Sequence, residues 1–182
     1  MTRKELLKRL KNCVDHYETR SGMNCVYLPL GDGYGLKVYG YMGERNYAYR
    51  VQRMLHRKGI APAVNGCFNL SVQDFSKELL GKHRWELWDL LDYKVCTKNN
   101  KPAHCHKVYC YVTQEAQYSG KISQREAKPV YAILNKFGLN TDDMRDDNCG
   151  RINGKLVVID CCKESLGDPH WSPRRQWQEN HG

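Results

Sequence analysis

Two hydrophobic periods alternate along this chain. Residues 2–17 place Leu6, Leu7, Leu10, Cys13, Val14 and Tyr17 on one stripe with lysines opposite, which predicts an amphipathic helix N-capped by Thr2. Arg20 to Asn24 is a polar break. Cys25 to Leu30 and Leu36 to Tyr39 then read as two strands around Gly31-Asp32-Gly33, a turn whose glycines supply positive φ. The helical period returns over Glu44 to Lys58, with Tyr47, Val51, Met54 and Leu55 inward and Gly59 as the terminator. Ile60-Ala61-Pro62 reads as extended, 63–70 as another strand, and Asp74 to Leu91 as a helix carrying Phe75, Leu79, Trp85, Leu87, Trp88 and Leu91. Thr97 to Ala103 is a charged turn, and Val108 to Thr113 alternates as a strand. Ser123 and Glu126 form a capping box for a helix that runs through Pro129 to Phe137. An acidic loop follows Gly138. It leads to a short hairpin whose run Leu156 to Ile159 is the most apolar in the chain. The remainder, rich in Pro, Trp and charge, reads as a tail. No internal repeat is present. Helices and strands segregated in this order predict an α+β fold.

Composition narrows the setting. With 182 residues and 41% apolar positions, the chain suits one domain or two very small ones. No run approaches the ~18 apolar residues of a membrane span, and the first ten residues lack the apolar core of a secretory leader. Twenty-nine Lys and Arg against 20 Asp and Glu give a net charge of +9, which favours polyanionic partners such as nucleic acid, nucleotides or acidic protein surfaces. Nine cysteines without an export signal read as reduced thiols in a cytoplasm.

The chemistry concentrates between Asp142 and Asp160. A loop crowded with carboxylates opens into a hairpin whose apolar strand ends in one more, Asp160. Asn148 and Asp160 are expected to meet at one end of that hairpin. An amide oxygen and a carboxylate converging there suit a hard cation such as Mg²⁺, which keeps several waters and takes further ligands from phosphate. Asp143, five residues before Asn148, is near enough to orient a hydroxyl nucleophile. The plain alternative is a solvated acidic turn ahead of a core strand.

Asp143-x-x-x-x-Asn148 followed by Gly154-Lys155-Leu156-Val157-Val158-Ile159-Asp160 resembles the catalytic loop and metal-binding Asp of the protein-kinase-like fold, above all its small divergent members of bacteriophage, RIO and Bud32 type. Gly35-Leu36-Lys37-Val38-Tyr39 is similar to the strand carrying the phosphate-binding Lys. The helix ending in Arg57-Lys58-Gly59-Ile60-Ala61-Pro62 is similar to the αC helix and its exit. Val108 to Glu115 resembles the strand leading to the adenine-binding hinge. The resemblance implies a minimal two-lobed fold with a truncated N-terminal sheet and a reduced C-lobe: an N-terminal helix over 1–20, an N-lobe-like part over 21–115, a C-lobe with the catalytic loop over 116–165, and a tail over 166–182. It implies an ATP- and Mg²⁺-dependent phosphotransferase of Ser/Thr type acting on a protein or small-molecule hydroxyl. Lys37, Gly31, Gly33 and Glu115 would bind ATP, Asn148 and Asp160 the metal, and Asp143 the acceptor. A phage source would place the protein in the host cytoplasm, among host proteins.

The sequence also departs from that pattern. One strand, not two, is expected before Gly31, so its turn reads as the hairpin beside the Lys strand. Glu44 is the only acidic residue in the αC-like helix, and Asp142 stands where Arg is usual. Asp160-Cys161-Cys162 lacks the Phe and Gly of the DFG motif. The residues after it are too few for an activation loop and substrate-seating helices. These departures favour a second reading, a catalytically weak or inactive pseudokinase-like module that captures or inhibits a host protein or nucleic acid. A third reading is a basic nucleic-acid-binding protein without enzymatic chemistry. Two weaker features stand apart. Cys96, His104, Cys105, His106 and Cys110 offer zinc-type ligands without a CxxC pair. In the tail, Trp171, Arg174, Arg175 and Trp177 interleave aromatics with arginines, as nucleic-acid or acidic-peptide binders do, or as a docking segment would.

Overall fold

The computed structural model describes residues 1–12, 20–21, 25–71, 74–75, 107–142 and 144–167. The end of the first expected helix, nearly all of the helix expected over 74–91, the turn over 97–103 and the tail past Gly167 lie outside the described residues. The elements are α1 (Arg3–Asn12), β1 (Arg20–Ser21), β2 (Cys25–Gly31), β3 (Tyr34–Tyr39), α2 (Met42–Arg57), β4 (Val64–Ser71), β5 (Lys107–Gln114), β6 (Gln117–Tyr118), α3 (Gln124–Lys136), β7 (Cys149–Ile152), β8 (Lys155–Val158) and α4 (Lys163–Leu166). Antiparallel sheets with separate helices make this an α+β protein. Among the described residues no helix is long and apolar enough to cross a membrane.

The chain divides into two compact units, Met1–Tyr49 with Ala63–Glu115, and Arg50–Pro62 with Ala116–Gly182. The first is built on an antiparallel sheet in the order β1-β2-β3-β5-β4. Strand alternation sends Val26, Leu28 and Leu30, Leu36 and Val38, and Val108, Cys110 and Val112 to one face. There they pack with the fully buried Leu6 and Leu10 of α1. Thr2 starts that helix as expected, its hydroxyl accepting the Glu5 N–H at 3.2 Å. Tyr39 and Tyr111 fill the opposite face against Ala48 of α2, their rings stacked at 5.8 Å and met edge-on by Tyr49. The expectation of a single strand before Gly31 is corrected by β1, whose Arg20 and Ser21 pair with Tyr27 and Val26. An edge strand needs only a backbone partner, so a polar dipeptide can supply one without any apolar signature.

In the second unit β6, β7 and β8 form an antiparallel sheet with α3 lying against β8. Ala127, Val130 and Leu134 of α3 and Leu156, Val157 and Val158 of β8 are buried. The 60–62 segment joins this sheet through Val158 N–H to Ile60 O at 2.8 Å. The Ser123–Glu126 capping box is formed, and the helix continues through Pro129. Glu126 also receives the Arg151 guanidinium at 2.6 Å, which ties the start of α3 to β7. Between β7 and β8, Asn153 and Gly154 both have positive φ, the geometry of a two-residue hairpin turn.

Candidate functional site

Lys37 occupies β3, with β2 on one side and β5 on the other; its register partners are Tyr27 and Tyr111. Alternation puts it on the face opposite Leu36 and Val38. The common fate of a strand lysine is to reach water along its aliphatic stem. Lys37 does not: it is only 6% exposed, with its ammonium 5.9 Å from the Tyr111 ring centroid. Its ammonium is thus withdrawn from bulk water and set near an aromatic face.

Gly31 and Gly33 flank Asp32 in the β2–β3 turn. Gly31 pairs with Tyr34, and both intervening residues have positive φ (Asp32 52°, Gly33 75°), so the reversal is two residues long. Arg9 of α1 secures it, donating to the carbonyls of Leu30 and Gly31 and pairing with the Asp32 carboxylate at 3.0 Å. The Arg9 guanidinium also lies 5.5 Å from the centroid of the Tyr34 ring. Glu115, at the exit of β5, donates its N–H to the Gly33 carbonyl at 2.8 Å. With that N–H engaged, the carbonyl is the backbone group Glu115 could offer a base.

Asn148 and Asp160 stand together in the second unit. The last rung of the β7–β8 ladder pairs Cys149 with Val158. One step beyond it, the Asn148 carbonyl accepts the N–H groups of Ile159 at 3.0 Å and Asp160 at 3.2 Å. The Asp160 carboxylate is oriented on both oxygens: Oδ1 accepts the Cys162 N–H at 3.1 Å, and Oδ2 accepts the hydroxyl of buried Ser165 at 2.9 Å. Each oxygen keeps a second lone pair, so this orientation is compatible with a cation. The bonds that join Asn148 to Asp160 are backbone ones; an amide oxygen and a carboxylate are the kinds of hard donor that would suit Mg²⁺ completed by water and phosphate. Among the described residues no group of three or more His, Cys, Asp and Glu is placed to hold a metal.

Asp143 lies outside the described residues. Its loop is fixed on either side: Asp142 N–H donates to Asn140 Oδ1 at 2.9 Å, and the Asp146 carbonyl accepts the hydroxyl of buried Ser119 at 2.9 Å. The structure thus brings together Asn148 and Asp160, while Lys37, Gly31, Gly33 and Glu115 belong to the other unit. Glu44 stands in the first turn of α2. Sequence reasoning missed Ser165 and Ser119, which orient Asp160 and anchor the acidic loop. A serine five positions after an aspartate carries no signal until the chain turns back through α4.

The thiols near the site are chemically quiet. Burial, then the charges of Asp146 and Asp147, pushes Cys149 up to about 12. Burial, then the Asp160 charge, does the same to Cys162. Cys110 also rises to about 12, chiefly through burial, and its thiol donates to the Phe68 carbonyl. It behaves as a small hydrophobe; the other members of the proposed zinc cluster lie outside the described residues. No protein-family model and no curated protein matches this chain.

Proposed function

We propose that this protein is an ATP- and Mg²⁺-dependent phosphotransferase that passes the γ-phosphate to a hydroxyl on a protein or small molecule. The observation that carries the reading is the backbone hydrogen bond that sets Asn148 beside Asp160, whose carboxylate is held on both oxygens by the Cys162 N–H and the Ser165 hydroxyl. The burial of Lys37 in its strand adds support, because it distinguishes this lysine from an ordinary surface cation. In this reading the Lys37 ammonium neutralises nucleotide phosphates, and Asn148 and Asp160 are the residues that would hold Mg²⁺. Asp143 orients the acceptor oxygen and takes its proton. The metal, when bound, offsets the charge that develops on the phosphoryl oxygens. Ser165 acts one step back, fixing the carboxylate before substrate arrives, which is where preorganisation lowers a barrier.

One specific geometry favours the second reading, a pseudokinase-like module that captures a host protein or nucleic acid. The β2–β3 turn is two residues long and already held by Arg9 and the Glu115 N–H. Both readings suit action in a cytoplasm, that of the host if the chain is phage-encoded. Incubation with γ-labelled ATP separates them, together with thermal melting in ATP–Mg²⁺. The enzyme reading expects label transfer by the wild type and not by Asp143→Asn, and a raised midpoint in the wild type and not in Asp160→Asn. A wild type that neither shifts at millimolar nucleotide nor transfers label eliminates it and leaves the binding module.

A further inference from the structure

Between Arg45 and Gln73 the chain carries Arg45, Arg50, Arg53, Arg57 and Lys58 and not one Asp or Glu. The fold sorts these cations. Arg45 is buried, donating to the carbonyls of Phe68 and Cys110 and to Asn69 Oδ1. Lys58 lies 5.8 Å from the centroid of the Phe137 ring. Arg50, Arg53 and Arg57 are left exposed on α2. Their spacings of three and four residues align them on one helix face, over a rise of about 10 Å. Among the described residues none of the three has a hydrogen-bond or ion-pair partner. All three belong to the second unit.

We infer that this face of α2 binds the phosphate backbone of duplex nucleic acid without reading its sequence. Exposed, unpaired guanidinium groups are suited to phosphate oxygens, and their planar forks can engage two at once. The surroundings decide against other polyanions. The exposed large hydrophobic residues among those described are Tyr41, Met42 and Tyr118. Met42 shares this helix face but stands about 12 Å before Arg50, outside the span of the three arginines. A protein partner needs an apolar anchor at the centre of its interface, and a single strand needs aromatic rings for its bases to stack on. Backbone contact with a duplex needs neither; it needs cations in a row and releases counterions as they engage. The inference stands independently of phosphoryl transfer, since it uses none of Lys37, Asn148 or Asp160.

The test is fluorescence anisotropy of the full chain with a short labelled duplex DNA of mixed sequence, titrated across a range of KCl. Three phosphate contacts contribute about 2.7 to the slope of log K against log salt. Wild type should therefore lose roughly 40-fold more affinity between about 50 and 200 mM salt than a variant lacking all three contacts. Arg50→Gln/Arg53→Gln/Arg57→Gln should show that shallower slope with its melting midpoint unchanged, while the triple Arg→Lys variant keeps most of the wild-type slope. Asp160→Asn, which disables the proposed metal site, should bind duplex as wild type does. A glutamine variant with the wild-type slope overturns the inference. So does a wild type that ignores the duplex and binds poly-glutamate, single strands or anionic vesicles through the same three arginines.

Discussion

Gly150 is the position at which a single methyl group should disturb the Asn148–Asp160 site most directly. It lies in β7 and pairs with Tyr118 on one side and Val157 on the other. A Cβ built on it would stand 2.8 Å from Ala116 Cβ, 2.9 Å from the Gln117 carbonyl oxygen and 3.0 Å from Ile159 Cγ2. Two of those distances are well inside ordinary contact, and the carbonyl belongs to backbone that cannot rotate aside. Gly150→Ala must therefore push β6 or Ile159 outward. Overpacking of this kind costs about 1–3 kcal/mol, a fall of roughly 2–12 °C in Tm for a chain of this size. Ile159 donates to the Asn148 carbonyl alongside Asp160, so the displacement should reach the site. Amide exchange at Ile159 and Asp160 should quicken roughly 5- to 150-fold, the equivalent of that energy. Gly154→Ala is the control. Its φ of 77° makes alanine unfavourable, but nothing lies within 4 Å of the added methyl. It should lower Tm through backbone strain of about 1–2 kcal/mol while leaving exchange at Ile159 and Asp160 close to its global value. Gly150→Ala with the wild-type Tm and unchanged exchange would refute the claim that close approach demands glycine here.

Two further outcomes follow from the charges and thiols. Hydrogen bonds from Arg151 and then Ser123 hold Glu126 down to about 2, below its ordinary 4.5. A depressed carboxylate contributes stability that is complete above the unfolded value and is lost as pH falls from about 4.5 towards 2. Acid titration of Tm should accordingly be shallower in Glu126→Gln than in wild type across that window, and identical slopes would show that the Arg151 pair adds nothing. Alkylation with iodoacetamide near neutral pH, followed by mass spectrometry, should label exposed Cys67 before Cys110, Cys149 and Cys162. Those three are buried and held protonated by values near 12. Faster labelling of Cys149 than of Cys67 would show that the β7–β8 hairpin opens more readily than its packing implies.

The elements legible in the sequence are those whose information is local. The patterns over 25–30, 36–39 and 108–113 set the strands, the Leu6–Leu10 stripe set α1, and Ser123 with Glu126 marked the start of α3. Each depends on side chains a few residues apart. The meeting of Asn148 with Asp160 could also be read, because a short hairpin fixes which residues share its mouth. Tertiary structure decided what depends on distant segments. It recruited polar Arg20-Ser21 and Gln117-Tyr118 as strands through backbone pairing alone, which leaves no side-chain pattern. It turned the chain after Asp160 so that Ser165 meets the carboxylate. It also separated cations that look alike in sequence, burying Lys37 and Arg45 while leaving Arg50, Arg53 and Arg57 exposed. Burial is a property of the elements packed around a residue, so charge alone could not say which cations belong to the interior and which face a partner.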